Sequence, residues 1–110
     1  MSAVVGALER HARERGAEIA LREGARAVSW RELLRATRAV ATRFAALGAG
    51  ARAIAALPNG AALASAQLAA LESGIELLGV PPRTPAGVLS ELIAQLGAAR
   101  VYGAAGSELS

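Results

Sequence analysis

Catalysis needs nucleophiles, titratable groups or metal ligands, and this chain holds few of them. Cys, Lys and Asp are absent, and His occurs once, at His11. A disulfide framework, a thiolate zinc site and a thiol nucleophile are therefore excluded. A Schiff base and a Walker phosphate loop both need Lys, and a phospho-acceptor site of the response-regulator type needs Asp. His11 has no second ligand near it in sequence, and nine scattered Glu are a poor source of a metal site, so His11 reads as a packing or surface residue. Glu76 opens an apolar run, but a strand end is commonly solvated, so it reads as a surface carboxylate. Two glycine-rich stretches remain. Gly48 to Gly50 precedes an expected strand, whereas a dinucleotide loop follows one, so it reads as a helix stop. Gly103 to Ser107 follows an expected strand and could offer backbone amides to a phosphate, with a tail as the plainer reading. By elimination the sequence yields no catalytic, cofactor-binding or metal-binding residue, and the chain is not expected to be a complete enzyme.

Charge points the same way. The net charge is +3, and all twelve cations are Arg. Residues 1–43 hold nine Arg and five Glu, 9 − 5 = +4, while residues 44–110 hold three Arg and four Glu, 3 − 4 = −1. The early Arg sit at helical spacing beside Glu, the pattern of a solvated face. With one Phe, one Trp and one Tyr there is no stacking platform for single strands, so no nucleic-acid partner is expected. The start MSAVVGALERH lacks a basic leader, which implies a cytoplasmic location. The nineteen uncharged residues between Arg52 and Glu72 are broken by Pro58, Asn59 and Gly60, so no membrane span is expected.

The elements that would position any site follow from periodicity and punctuation. Val4, Val5, Leu8 and Ala12 make one face of a helix over residues 3–15 that ends at Gly16. Ile19–Leu21 and Ala27–Trp30 read as a hairpin whose loop is Glu23, Gly24 and Ala25. Ser29 and Glu32 form a capping box, predicting a helix from Trp30 with Leu33, Thr37, Val40, Phe44 and Leu47 inward and a stop at Gly48. From Arg52 the pattern changes. Ala53–Leu57 is a continuous apolar run, the mark of a strand buried on both faces of a parallel sheet. Asn59 should cap the next helix, Gly60–Ser73, and Gly74 should end it. Ile75–Val80 reads as a strand, Thr84 as a cap and Pro85 as the start of a helix with Val88, Leu89, Leu92, Ile93 and Leu96 buried up to Gly97. Arg100–Tyr102 is then a third strand.

The fold class is α/β: an N-terminal helix and β-hairpin, then a β-α-β-α-β unit with parallel strands, a Rossmann-like three-layer half-domain. The expected layout is one partial domain over residues 1–110, with helix, hairpin and amphipathic helix in 1–50, the βαβαβ unit in 51–104 and a tail in 105–110. Only seven of the 67 residues from 44 to 110 are charged. Although 29 Ala tolerate exposure, a helix apolar all round needs cover on both sides, so the apolar region 53–96 is expected to meet a partner or a second copy of the chain.

Three segments in order, VSWREL (Val28–Leu33), ALPNG (Ala56–Gly60) and LESGIELLGVPPRTP (Leu71–Pro85), resemble the start of the adenylate-forming (AMP-binding) superfamily of acyl-CoA synthetases, peptide-synthetase adenylation domains and luciferases. The resemblance also takes in His11 and Ala12 on the first helix, Ala20 and Leu21 on the first strand, and Ser29, Trp30, Glu32 and Leu33 in the family's Thr/Ser-Tyr-x-Glu-Leu segment. It continues through the Ala46–Gly48 helix end, the Leu57–Asn59 turn and Pro82–Arg83, so it covers nearly the whole chain.

It implies the N-terminal part of a ligase that activates a carboxylic acid with ATP, of the acyl- or aryl-CoA synthetase type, scaffolding the site without catalysing. The family's phosphate loop and catalytic lysine have no counterpart here, so this segment alone is expected to bind no cofactor, while ATP and Mg belong to the complete enzyme. The partner implied is then the remainder of the adenylating enzyme. The alternative is a stand-alone interaction or assembly module that keeps the fold, and a small nucleotide-binding domain is a third reading on fold analogy alone. The sequence departs from the family at Ala51, where an Asp is usual and would have partnered Arg52, at Gly79 in place of Pro, and at Pro81 in place of Asn.

Overall fold

The computed structural model describes residues 3–103. The first helix, α1 (Ala3–Arg15), buries Val5, Leu8 and Ala12 of the face its periodicity marks, while Val4, counted with them in the sequence, is 52% exposed at the edge of that stripe. Gly16 follows because nothing larger fits: a Cβ there would meet the Ala12 carbonyl at 2.6 Å and the Arg31 guanidinium. The hairpin pairs β1 (Ile19–Glu23) with β2 (Arg26–Ser29), antiparallel, with Glu23 opposite Arg26. Gly24 turns the loop at φ +61°. The second strand ends one residue earlier than Ala27–Trp30 implies, because Trp30 already opens α2 (Trp30–Ala45).

The start of α2 is the capping box its sequence specifies. The Glu32 amide donates to Ser29 Oγ at 3.1 Å, and the Ser29 amide donates to Glu32 Oε1 at 3.1 Å. These two bonds satisfy amides that a helix start otherwise leaves free. The far end is shorter than Gly48 suggests. Ala46 is the C-cap, and Gly48, at φ +88°, lies in the turn beyond it.

The second half is a three-stranded parallel sheet in the order β4-β3-β5, with β3 (Arg52–Ala55) central, β4 (Glu76–Gly79) on one side and β5 (Arg100–Tyr102) on the other. The connecting helices are α3 (Ala61–Ser73) and α4 (Ala86–Leu96). The chain steps one way from β3 to β4 and back across β3 to β5. Right-handed crossovers of opposite sense put α3 and α4 on opposite faces, giving three layers. Alternation along β3 agrees: Ala53 clusters with Ala69 and Ala55 with Ala66, both on α3, while Ile54 faces the other way, fully buried.

The main core lies on the α2–α3 side and joins Phe44, Ala53, Ala69, Ala70, Ile75 and Tyr102. Phe44 is fully buried and meets Tyr102 edge to face with centroids 5.4 Å apart. A second cluster, Leu8, Val28 and Leu33, ties α1, the hairpin and α2 together. The α4 side is thinner. No residue of α4 is buried; Leu89, Leu92, Ile93 and Leu96 are half-buried and Val88 is 44% exposed, so the stripe read as buried is only half covered. Among the described residues α1 and α2 pack with α3 on the other side and no second helix stands beside α4, so its stripe lacks lateral cover.

Candidate functional site

Where β3 ends at Ala55, two residues short of the apolar run Ala53–Leu57, the chain continues through Leu57 and Pro58 to a turn at Asn59 and Gly60. Asn59 does not cap α3, as its residue type suggests. Gly60 is the N-cap, at φ +152°, and it makes no side-chain cap bond. The cap comes from 38 residues upstream. Glu23 Oε1, on the hairpin, accepts a hydrogen bond from the Ala61 amide at 2.6 Å, placing a carboxylate where the helix dipole favours one. Gly60 makes room for this, because a Cβ there would run into the Glu23 carboxylate. Hairpin, turn and α3 are thereby fastened together.

After β4 the chain passes Val80 and the Pro81–Pro82 pair. Thr84 does not cap α4 either: its hydroxyl donates to the Pro81 carbonyl at 2.6 Å, closing a turn, and Pro85 takes the N-cap position without a side-chain bond. Asn59, Leu63, Gly79, Val80, Pro81 and Pro82 surround a shallow depression between the two loops. Next to it lies a cleft between α2 and α3, lined on one side by Ala36, Ala39, Val40 and Arg43 and on the other by Ala61, Ala62, Ser65 and Ala66. Leu57, Tyr102 and Arg26 complete it. The Arg43 Cζ lies 5.8 Å from the centre of the Tyr102 ring.

The residues singled out in the sequence are scattered rather than gathered. His11 packs: its ring stacks on Trp30 with centroids 4.7 Å apart and planes 22° apart, and its buried Nδ1 has no hydrogen-bond partner. The His-Ala and Ser-Trp segments of the resemblance are thus neighbours in space. Glu76 is a surface carboxylate, and it supplies a partner that the sequence comparison denied to Arg52. Parallel register sets Arg52 beside Glu76; Arg52 Nε donates to Glu76 Oε2 at 2.8 Å and Nη1 donates to the Leu96 carbonyl at 3.0 Å. The Ala51 departure therefore leaves Arg52 paired, with the acid moved from the preceding residue to the next strand. Gly48 and Gly50 lie before β3, the Gly50 amide donating to the Gly74 carbonyl at 2.8 Å. Gly103 is buried, while the rest of the Gly103–Ser107 stretch and the tail at 105–110 lie outside the described residues. Among the described residues no three His, Cys, Asp or Glu side chains come together as a metal site, and no helix is long and apolar enough to cross a membrane.

Sequence reasoning missed Glu23. Its only signal was position, a carboxylate at the hairpin tip, and the pairing with Ala61 exists only once β3 and the hairpin are side by side.

The arrangement is a parallel sheet whose C-terminal edge carries two loops and a cleft. An α1, hairpin, α2 and βαβαβ sheet in this order is the fold of the N-terminal subdomain of adenylate-forming enzymes, as the resemblance implied. The N-terminal subdomain of Klebsiella oxytoca NpsA, solved in complex with 3-hydroxyanthranilyl-AMSN, superposes with a TM-score of 0.74 at 20% identity over 94% of this chain and 27% of its own. VinN superposes at 0.78, with 18% identity, over 93% of this chain and 26% of its own. A benzoate CoA ligase from Burkholderia xenovorans superposes at 0.76, with 20% identity, over 94% of this chain and 22% of its own. This chain thus spans about a quarter of the length of those solved chains. No family model and no curated protein matches the sequence.

Proposed function

We propose that the chain is the N-terminal part of an adenylate-forming ligase of the acyl- or aryl-CoA synthetase type. The whole enzyme joins a carboxylate to the α-phosphate of ATP, releasing pyrophosphate, and then passes the acyl group to a thiol. Residues 1–110 serve there as one partial domain, with the βαβαβ unit at 51–104. One coincidence carries the reading: motifs in family order occupy a fold that matches more than nine-tenths of this chain to about a quarter of each larger enzyme. The segment's role is scaffolding. The Glu23 bond and the α2–α3 pair hold the C-terminal edge of the sheet rigid, while the groups that stabilise charge on the transferring phosphate come from elsewhere in the enzyme, with ATP and Mg.

The half-covered α4 stripe supports a further element of the reading. Leu92, Ile93 and Leu96 are the surface on which the remainder of the enzyme packs, and an apolar surface of this kind is commonly completed by an interface. The setting is the cytoplasm. A stand-alone assembly module would use the same stripe for a separate chain, and native mass separates the two. Captured from its source cells through an antibody to this segment, the natural polypeptide should be several times heavier than 11.1 kDa. A captured species of 11.1 kDa bound to a different protein would favour the module.

A further inference from the structure

The two edges of the parallel sheet are not alike. On the α4 face Ile54 of β3 stands in register with Val101 of β5 on one side and Leu78 of β4 on the other. Ile54 and Val101 are fully buried, whereas Leu78 is 39% exposed, so cover on this face stops short of β4. The backbone of β4 is open as well. The Glu76 amide donates to the Ala51 carbonyl at 2.9 Å and the Val80 amide to the Ala55 carbonyl at 2.9 Å. Alternation then turns the backbone groups of Leu77 and Gly79 away from β3, toward the edge. The open stretch has sharp limits. The Ile75 amide is taken by the Ala70 carbonyl at 3.0 Å, and Pro81 has no amide hydrogen. No charged side chain lies within it, although an edge strand is ordinarily blunted by one.

We propose that β4 pairs antiparallel with β4 of a second copy of this chain, about a two-fold axis at Leu78. A set of outward groups at Leu77 and Gly79 is self-complementary under that axis. Leu77 meets Gly79 of the second copy in a hydrogen-bonded pair, Gly79 meets Leu77 in another, and Leu78 faces its own counterpart across the closer, non-hydrogen-bonded position. Side chains agree with this register. Nothing lies within 4 Å of a Cβ position at Gly79, which leaves room for the opposing Leu77, and the two Leu78 side chains cover one another. Charges agree too. Glu76, already held by Arg52, comes opposite Val80, at the end where the exposed Arg83 of the second copy follows, so acid approaches base and no like charges are opposed. The pairing leaves Leu92 and Ile93 of α4 free and uses only residues of this segment, so it does not depend on the ligase reading.

Register-specific cross-linking tests the pairing in the full natural polypeptide. The non-hydrogen-bonded position brings two Cα atoms to about 4.5 Å, within reach of a disulfide. Leu78→Cys, oxidised with diamide and mapped by mass spectrometry, should give a link from residue 78 to residue 78, while Leu71→Cys, at an exposed position of α3, should give none. Sedimentation should show a monomer–dimer equilibrium with a dissociation constant of roughly 10–100 μM, as befits so short a contact. Leu78→Lys, which sets two cations face to face, and Gly79→Pro, which removes an outward amide, should each weaken it at least about tenfold. Thermal unfolding of each variant verifies that the fold persists. A strictly monomeric polypeptide at about 1 mM, links that map only to other positions, or association unchanged in Leu78→Lys and Gly79→Pro overturns the proposal. A monomer whose Leu77 and Gly79 amides resist hydrogen exchange overturns it as well, and assigns the edge to a strand from elsewhere in the polypeptide. Each of these results is read whether or not the polypeptide forms acyl-adenylates.

Discussion

Replacing Gly60 should do two kinds of damage that can be separated. At φ +152° a residue with a Cβ is strained by about 1–3 kcal/mol. The Cβ would also displace the Glu23 carboxylate and so remove the cap on α3, which is worth about 1 kcal/mol. Gly60→Ala should therefore cost about 2–4 kcal/mol, and Glu23→Ala about 1 kcal/mol. The double variant should cost no more than Gly60→Ala alone, because the cap cannot be lost twice. The cycle thus closes with a coupling of about 1 kcal/mol. Hydrogen exchange in peptides covering residues 57–68 reads the local opening free energy directly. Strict additivity, or an unchanged exchange rate at Ala61 in Glu23→Ala, would refute the claim that the hairpin caps α3.

Other expectations concern the local devices and the core. Ser29→Ala should destabilise by about 1 kcal/mol in urea unfolding, since it removes one arm of the capping box. Glu32 is held below its ordinary value of 4.5, first by the Ser29 amide and then by the Ser29 hydroxyl. A depressed folded pKa stabilises above the unfolded value and loses its effect as pH falls through the folded one. The stability gap between the native chain and Glu32→Gln should therefore hold steady near neutral pH and close on acidification below 4.5, as pH-dependent unfolding can measure. Phe44→Ala should cost about 3–5 kcal/mol in the same unfolding assay, because a fully buried ring and its contact with Tyr102 are lost. Arg52 and Glu76 should couple by less than about 1 kcal/mol in a double-mutant cycle, as both side chains are more than half exposed.

What the sequence revealed and what it hid divide by distance along the chain. The Ser29–Glu32 box is a local device written in four consecutive residues, and it forms as written. The left-handed glycines that end α3 and α4, Gly74 and Gly97, are equally local. The parallel sheet was legible because two consecutive β-α-β steps run their strands the same way, but the strand order, with β3 in the centre, was not read from the sequence. The caps at Asn59 and Thr84 were misjudged for the opposite reason. Residue type named each as a cap, but Glu23 reaches α3 first and the Pro81 carbonyl takes the Thr84 hydroxyl. The Arg52–Glu76 pair also depends on strand register, which no local pattern displays. The α4 stripe was recognisable from its spacing, but the degree of its burial depends on what else the sheet carries. The cleft was hidden because alanines facing one another across two helices look like any alanine-rich helix until the helices are placed.

The central claim is that this fold belongs to a carboxylate-activating ligase, and carboxylate-dependent ATP–pyrophosphate exchange tests it most directly. The natural full-length polypeptide, purified through this segment, should incorporate labelled pyrophosphate into ATP when offered a panel of aryl and alkyl carboxylic acids, and only in their presence. No exchange with any acid, from a folded polypeptide of native length, would contradict it.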